Sequence, residues 1–379
     1  MTKRKIGENS ESDALRAIDR DDEAKARNGQ LSDEEITRLA KKGTRVRTLL
    51  VIHQRRLPFN VLLALSRDEA AKIRALVAEK GSRLSLSDRI RLSDDEDPRV
   101  RAIAVHLVAD EREVLEKLAR DRDPIVRRNV ARCIRFKNSK LKAVEKTLSE
   151  DPEPDVRAVL ATRERIDLRI LAKMANDPDA SVRLAVADHR ATPLRSLSTL
   201  AKDDDVEVAA IVSRRNDVRP SLAMILADSP HAVVRRQAAF ILRISSRKIN
   251  ELARDHDNLV RRLLCGRRRL PTKAVEALAN DSSASVRTAM AEFIEAKFEK
   301  IIMAMALDKE PDVRAALAAN NETTAIALAI LSKDRLSGIA ELASERLAGL
   351  SAHERMAAEE GAGEALDRKR RERKKRNRK

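Results

Sequence analysis

Residues 177–203 contain the repeating unit of this chain and read DPDASVRLAVADHRATPLRSLSTLAKD. An aliphatic residue followed by arginine, Val182-Arg183, lies in the first half of this stretch, and the pair returns along the chain at steps of mostly 26 or 27 residues. Two copies, at Val208 and Ile339, keep the register but lack the arginine. The aliphatic anchors are Val46, Ile73, Val100, Val126, Val156, Val182, Val208, Val234, Val260, Val286, Val313 and Ile339. Twelve copies at this regularity indicate a repeat architecture.

Each repeat predicts two helices joined by a corner. Apolar residues at the anchor and four and five residues later share one helical face, and those 15, 18 and 19 residues later share another. Proline follows the anchor by 11 or 12 residues in four repeats, at Pro58, Pro193, Pro220 and Pro271. Because proline is tolerated in the first turn of a helix, it marks the start of a shorter second helix. The expected fold is all-α, a right-handed superhelical α-solenoid of about twelve 26-residue two-helix repeats.

The composition agrees with a helical protein and excludes several classes. The 379 residues include 78 Lys+Arg, 61 Asp+Glu, nine Gly, five Phe and neither Trp nor Tyr, which is atypical of β-rich domains. Two cysteines cannot build a disulfide scaffold. Residues 1–20 lack the apolar stretch of a signal peptide, and the longest apolar runs are too short to cross a bilayer. We therefore expect a soluble monomer without membrane contact, which is cytoplasmic or nucleoid-associated in a bacterium and nuclear in a eukaryote.

The ends of the chain differ from its middle. Residues 1–30 are polar and charged, which predicts a disordered N-terminal segment. Ser32 followed by Glu35 forms a capping box, which predicts a helix that begins near Asp33 and covers the open end of the core. The solenoid is expected over residues 31–350. Residues 351–379 are expected to form a charged tail that ends in a polybasic arm.

Part of the quoted stretch resembles one unit of the leucine-rich repeat variant family, which is related in shape to HEAT repeats. The matching positions are Ser181, Val182, Arg183, Leu184, Ala185, Val186, Ala187, Thr192, Pro193, Leu194, Leu197, Leu200, Ala201 and Asp203. The resemblance extends over residues 41–350 and implies a binding scaffold. One type of member carries an iron–sulfur cluster on a cysteine-rich segment, but this chain has only Cys133 and Cys265, so we expect neither cofactor nor metal.

An aspartate stands five residues before most of the anchors. These aspartates are Asp68, Asp95, Asp121, Asp151, Asp177, Asp203, Asp255, Asp281, Asp308 and Asp334. With the anchor arginines they could form an anion-binding row of cations, or each aspartate could cap its helix or pair with the arginine of a neighbouring repeat. The resemblance to HEAT-like solenoids favours the structural interpretation.

A second set of arginines lies six to ten residues after the anchors, at the end of the first helix and in the corner. These arginines are Arg132, Arg135, Arg163, Arg165, Arg190, Arg214, Arg215, Arg243, Arg267, Arg268 and Arg269. Cations favour helix C-termini, but that rule does not require three consecutive arginines. Guanidinium groups at repeat spacing suit a phosphate backbone, so the pattern predicts a basic stripe that holds duplex nucleic acid.

The last twelve residues hold ten Lys/Arg and one Glu, a net charge of +9. The predicted contacts in this arm are Lys369, Arg370, Arg371, Arg373, Lys374, Lys375 and Arg376. Such an arm binds nucleic acid without sequence preference, and we expect it to act as a flexible second contact.

These patterns predict a non-enzymatic repeat scaffold that binds nucleic acid through its backbone phosphates. A protein–protein adaptor for an acidic partner is the first alternative. A HEAT-like DNA glycosylase for alkylated bases is the second. Those enzymes line their concave face with Trp or Tyr around a catalytic Asp, and this chain has neither aromatic residue. No catalytic residue is predicted, and the scarcity of aromatic residues argues against binding by base stacking.

Overall fold

The structure is a computed structural model. It describes residues 20–133, 141–217, 219–240 and 244–376, with the backbone alone for residues 369 and 372–376. Within these residues every regular element is a helix. The chain divides into two compact units, residues 1–196 and 197–379.

The helices are numbered in chain order. The first unit contains α1 (20–26), α2 (Asp33–Leu39), α3 (Thr44–His53), α4 (Phe59–Leu65), α5 (Ala71–Lys80), α6 (Leu86–Ser93), α7 (Pro98–Ala104), α8 (Arg112–Leu118), α9 (Pro124–Cys133), α10 (Lys142–Ser149), α11 (Pro154–Ala161), α12 (Leu168–Met174) and α13 (Ala180–Asp188). The unit boundary falls within α14 (Leu194–Leu200). The second unit contains α15 (Val206–Arg214), α16 (Pro220–Leu226), α17 (Ala232–Phe240), α18 (Ser246–Leu252), α19 (Asn258–Cys265), α20 (Thr272–Ala279), α21 (Ala284–Phe293), α22 (Glu299–Met305), α23 (Pro311–Ala319), α24 (Ala325–Leu331), α25 (Ser337–Ala348) and α26 (Ala352–Arg376).

The odd-numbered helices from α3 to α25 are the first helices of the twelve predicted repeats. Within each unit the first helices of consecutive repeats pack side by side, as α7 does on α9 and α19 does on α21. The anchor residues lie between them, and Val126 and Val260 are fully buried. Alanines such as Ala131 and Ala291, five residues after their anchors, are also fully buried and let neighbouring helices approach closely. The predicted all-α solenoid of two-helix repeats is confirmed.

The predicted prolines also begin second helices. Pro58 and Pro271 are the N-caps of α4 and α20, and Pro220 is the first residue of α16. A proline in the first turn gives up no helical hydrogen bond, because the first N–H groups of a helix have no partner within it. These second helices therefore begin where the prolines predict.

The repeated aspartates and anchor arginines form an Asp–Arg ladder between consecutive repeats. In each pair the arginine of one repeat donates to the aspartate of the next, with N–O distances of 2.5–3.0 Å. The pairs in the first unit are Arg47–Asp68, Arg74–Asp95, Arg101–Asp121, Arg127–Asp151 and Arg157–Asp177. Those in the second unit are Arg235–Asp255, Arg261–Asp281, Arg287–Asp308 and Arg314–Asp334. The structural interpretation is confirmed, and these arginines do not form an anion site.

Every ladder arginine except Arg47 also secures the loop before its own helix. Arg74 donates through Nη1 to the carbonyl oxygens of Asp68 and Glu69, at 2.9 and 3.0 Å, while Nε and Nη2 hold Asp95. The aspartate does not cap the helix, because that role belongs to the residue two positions later. Asp97, for example, is the N-cap of α7 and accepts from the Arg99 N–H.

Acidification is expected to loosen the ladder. Burial alone would raise the pKa of Asp121, but hydrogen bonds from Arg101 and from the Asp123 N–H, with the arginine charge, hold the pKa below its ordinary value of 3.8. The pKa values of Asp308 and Asp334 are lowered in the same way. A carboxylate whose folded-state pKa is depressed contributes stability above its unfolded pKa of about 4, and loses it as the pH falls through the folded value. The urea midpoint should therefore hold from pH 7 to pH 5 and fall below about pH 4. An unchanged midpoint at about pH 2.5 would contradict this.

The N-terminal segment is ordered further upstream than the sequence predicts. Residues 20–26 form α1, in which Asp22 and Ala26 are buried. The Asp22 carboxylate pairs with Arg38 at 3.1 Å and with Lys42 at 3.0 Å, so its charge is compensated inside the fold. The sequence predicts no helix before Asp33, because these long-range ion pairs do not show in local composition. The capping box at Ser32 is confirmed as the start of α2.

Candidate nucleic-acid interface

A second row of contacts between repeats lies at the corners. The last carbonyl groups of an α-helix have no partner within the helix and carry a partial negative charge. Side chains from the following repeat donate to these carbonyls: His189 Nε2 to Arg163 O at 2.7 Å, Arg267 Nη1 to Ala239 O at 2.8 Å, and Asn320 Nδ2 to Ala291 O at 2.8 Å. Like the ladder at the other end of the first helices, these contacts join neighbouring repeats.

Three arginines of the predicted stripe belong to such internal contacts. Arg163 is buried and donates to Glu145 Oε1 at 3.3 Å, and burial lowers its pKa to about 10. The Arg215 side chain is 9% exposed and holds Asp217 through two hydrogen bonds of 2.8 Å. Arg267 is half-buried, and burial lowers its pKa. These three arginines of the predicted stripe are therefore committed to contacts within the fold.

The remaining described arginines of the stripe are exposed. Arg190 pairs with Glu164 at 2.7 Å, and Arg214 approaches Glu207 at 3.6 Å. In the part of the chain that the structure describes, no ion pair compensates the other four, which are Arg132, Arg165, Arg268 and Arg269. Arg135 and Arg243 lie outside the described residues. Two of these four, Arg268 and Arg269, lie side by side in the corner after α19.

Arg269 has an unusual backbone conformation. Its φ of 61° places it in the left-handed region, and it is the one non-glycine residue with positive φ among those described. The left-handed region costs a residue with a side chain roughly 1 kcal/mol, whereas glycine adopts it freely. The corner thus carries an exposed guanidinium at a position where glycine would be more stable.

Three of the four phenylalanines that the structure describes lie at the surface. Phe240, the last residue of α17, is 59% exposed, and Phe293, the last residue of α21, is 56% exposed. Phe59 in the first unit is 45% exposed and follows a corner that contains the exposed Arg55 and Arg56. The sequence interpretation missed these positions because it weighed how few aromatic residues there are. The signal that could have found them is their register, since Phe240 and Phe293 follow their anchors by six and seven residues.

The C-terminal tail is a single long helix, α26, through Arg376. Its first half packs on α24: Ala358 and Ala362 are buried, and a Cβ on Gly361 would lie 3.0 Å from Ile326 Cδ1. A larger residue at position 361 would therefore require the Ile326 side chain to shift. The first part of the charged tail closes the end of the second unit as far as Ala362.

The basic segment follows this packed half on the same helix. Arg370 and Arg371 are exposed, and Arg370 approaches Asp367 at 3.8 Å. The side chains of Lys369, Arg373, Lys374, Lys375 and Arg376 lie outside the described residues. The helical backbone nevertheless fixes their spacing at about 1.5 Å of rise per residue.

Other chemistry is sparse in the described part of the chain. No three His, Cys, Asp or Glu side chains there come together as metal ligands, and none of its helices combines the length and the apolarity needed to cross a membrane. Cys133 and Cys265 are free thiols. Cys133 is only half-buried, whereas Cys265 is buried and its pKa is raised to about 12 by burial.

Comparison with known proteins yields repeat proteins. No protein-family model matches the chain, and no curated protein matches it. A leucine-rich repeat variant protein of known structure is 27% identical over 60% of this chain and 88% of its own, with a TM-score of 0.45. Importin beta is 12% identical over 93% of this chain and 53% of its own, with a TM-score of 0.30. Designed armadillo repeat proteins for peptide recognition are 12% identical over 76% of this chain and 98% of their own, with a TM-score of 0.12. At such TM-scores no function can be inferred from these proteins. The helices and repeats of the chain itself show that it is a helical repeat protein.

Proposed function

We propose that this protein is a non-enzymatic repeat scaffold that binds nucleic acid through backbone phosphates. The observation that carries the proposal is the separation of charge within the repeats. At one end of the first helices the ladder pairs each arginine with an aspartate. At the other end, Arg268 and Arg269 are exposed without an ion-pair partner in the described residues. Binding of a polyanion there requires no existing ion pair to break.

The residue type supports phosphate as the bound group. Most of the cations predicted for the stripe are arginines, although the chain also contains lysines. The planar guanidinium donates two parallel hydrogen bonds to a phosphate, whereas an ammonium acts as a point charge. Arg370 and Arg371 on α26 offer a second set of exposed guanidinium groups in the same unit. The supported site is the second unit, with its corner after α19 and the basic half of α26.

Binding should weaken steeply as salt rises. Each neutralised phosphate releases counterions, so a plot of log affinity against log salt should be linear with a slope of about −0.7 to −0.9 per contact. For six contacts, affinity should fall about 1,000-fold between roughly 50 and 200 mM salt. Fluorescence anisotropy with labelled oligonucleotides of two unrelated sequences measures the slope and the small effect of sequence. Salt-tolerant capture of an acidic protein, with no nucleic acid retained at low salt, would overturn the proposal. Release of free base from alkylated DNA would overturn the non-enzymatic assignment.

Removal of the basic half of α26 should weaken binding without loosening the fold. A chain truncated after Asp367 keeps Ala358, Gly361 and Ala362, which pack on α24. We expect about tenfold weaker binding and a shallower salt slope, because the tail raises the local concentration of cations around the bound strand. A truncated chain with the parent's melting temperature and unchanged affinity would show that the tail makes no contact. Truncation after Leu350 removes the packing as well and serves as the destabilised reference.

A further inference from the structure

We propose that the second unit binds single-stranded nucleic acid, with bases stacked on Phe240 and Phe293 at the corner edge. This inference rests on the proposed function and names the form of nucleic acid. The two phenylalanines are the last residues of α17 and α21, the first helices on either side of α19. Both are more than half exposed, although phenylalanine is among the residue types most often buried.

The helix α19, which lies between α17 and α21, ends in a glycine. The corresponding residue of α19 is its C-cap, Gly266, which is exposed. Its φ is −75°, a value that any residue adopts, so the backbone does not require glycine there. A Cβ at this position would lie 4.0 Å from Phe293 Cε2, which places the Phe293 ring beside the glycine. The absence of a side chain therefore leaves the Phe293 ring uncovered near Cε2.

The exposed arginines belong to the same corner as Gly266. Arg268 and Arg269 follow Gly266 by two and three residues, and the half-buried Arg267, between Gly266 and Arg268, donates to Ala239 O, the carbonyl before Phe240. This hydrogen bond ties the corner after α19 to the end of α17, at the residue before Phe240. Exposed arginines and exposed aromatic rings on neighbouring repeats are the combination that holds a strand by its phosphates and stacks its bases.

The aromatic faces favour a single strand over a duplex. Bases in a duplex are covered by their neighbours, and only unpaired bases can stack on a side chain. Neighbouring helices are spaced by about 8–10 Å, so α17 and α21 are roughly 16–20 Å apart. That span corresponds to about five or six nucleotides at the stacked spacing of roughly 3.4 Å, and to fewer in a stretched strand. The scarcity of aromatic residues in the sequence therefore does not exclude stacking, because the few rings present lie where a strand can reach them.

The test compares (dT)20 with a 20-base-pair duplex of mixed sequence on the full chain. The double variant Phe240→Leu/Phe293→Leu keeps apolar side chains but removes the rings. Since stacking of one base contributes a factor of about 5–150, the double variant should bind (dT)20 at least 20-fold more weakly and the duplex within about twofold of the parent. Phe59→Leu, an exposed phenylalanine of the first unit, is the matched control and should leave both affinities unchanged.

A second variant and a second readout test the same surface independently. Gly266→Leu places a side chain beside the Phe293 ring and should also weaken binding of (dT)20. A strand that contains 2-aminopurine should lose fluorescence when it binds the parent, because the base stacks, and should lose less with the double variant. If (dT)20 and the duplex bind alike and both variants match the parent, stacking is refuted while phosphate binding stands. If neither probe binds at low salt, the proposed function itself fails. A peptide with apolar and acidic residues that binds through the phenylalanines, when neither (dT)20 nor the duplex binds, would identify a protein partner. That result would overturn both the stacking proposal and the proposed function.

Discussion

Replacing Arg127 with alanine should lower the free energy of unfolding by about 3–5 kcal/mol, the cost of leaving a buried carboxylate without its partner. Arg127 Nε lies 2.7 Å from Asp151 Oδ2, and the two side chains are only 10% and 2% exposed. Arg127 Nη1 also donates to Asp121 O at 2.8 Å, so the substitution removes the bond between two repeats and the bond to the preceding loop at once. Urea unfolding followed by circular dichroism measures the loss.

Arg128→Ala is the matched control for this prediction. Arg128 is the next residue of α9 and is exposed, so its substitution should change the free energy of unfolding by no more than about 0.5 kcal/mol. Replacing Arg127 and Asp151 together with methionine and leucine should recover part of the loss, because no unpaired charge then remains buried. The recovery is incomplete because Asp151 also accepts the Glu153 N–H at 3.0 Å. A loss below about 1 kcal/mol for Arg127→Ala would show that the ladder is not a main source of stability.

Reversing the charge of Arg268 and Arg269 should weaken nucleic-acid binding about 100-fold at roughly 100 mM salt. Both residues are exposed and have no ion-pair partner in the described residues, so the double variant Arg268→Glu/Arg269→Glu should keep the parent's melting temperature. The loss of two phosphate contacts should make the salt slope shallower by about 2. Fluorescence anisotropy with the same labelled oligonucleotide measures the affinity and the slope together.

Two single variants separate charge from structure at this corner. Arg269→Gly relieves the left-handed backbone, so it should preserve or raise stability while it weakens binding. Arg267→Glu should instead lower the melting temperature, because it removes the hydrogen bond to Ala239 O and places an uncompensated charge in a half-buried site. If Arg268→Glu/Arg269→Glu binds as tightly as the parent, the exposed arginines are solvated surface and the proposed site is wrong.

The helices and their pairing into repeats follow from the sequence alone, which also sets the aspartates and arginines of the ladder at constant positions in the repeat. These features depend on residues that lie close together along the chain or recur at a constant step. A valine followed by arginine identifies a helix face, and an aspartate 20–24 residues further on is the partner of that arginine, as Arg127 and Asp151 show. Because the same apolar pattern recurs in every repeat, a helix that is ambiguous in one repeat can be assigned from the others.

The surface of the corners was decided only by the tertiary structure. Arg163 and Arg165 are two residues apart and identical in type, yet Arg163 is buried beside Glu145 and Arg165 is exposed. Arg267 and Arg268 differ in the same way, because Arg267 reaches a carbonyl group of the preceding repeat. The hydrogen-bond acceptors of Arg163 and Arg267, which are Glu145 and the Ala239 carbonyl, lie 18 and 28 residues earlier in the chain. They approach these arginines only when the repeats stack. Burial of a charge depends on whether such a partner compensates its loss of hydration. Sequence spacing identifies which residues lie at the corner, and packing between repeats decides which of their charges remain available to a ligand.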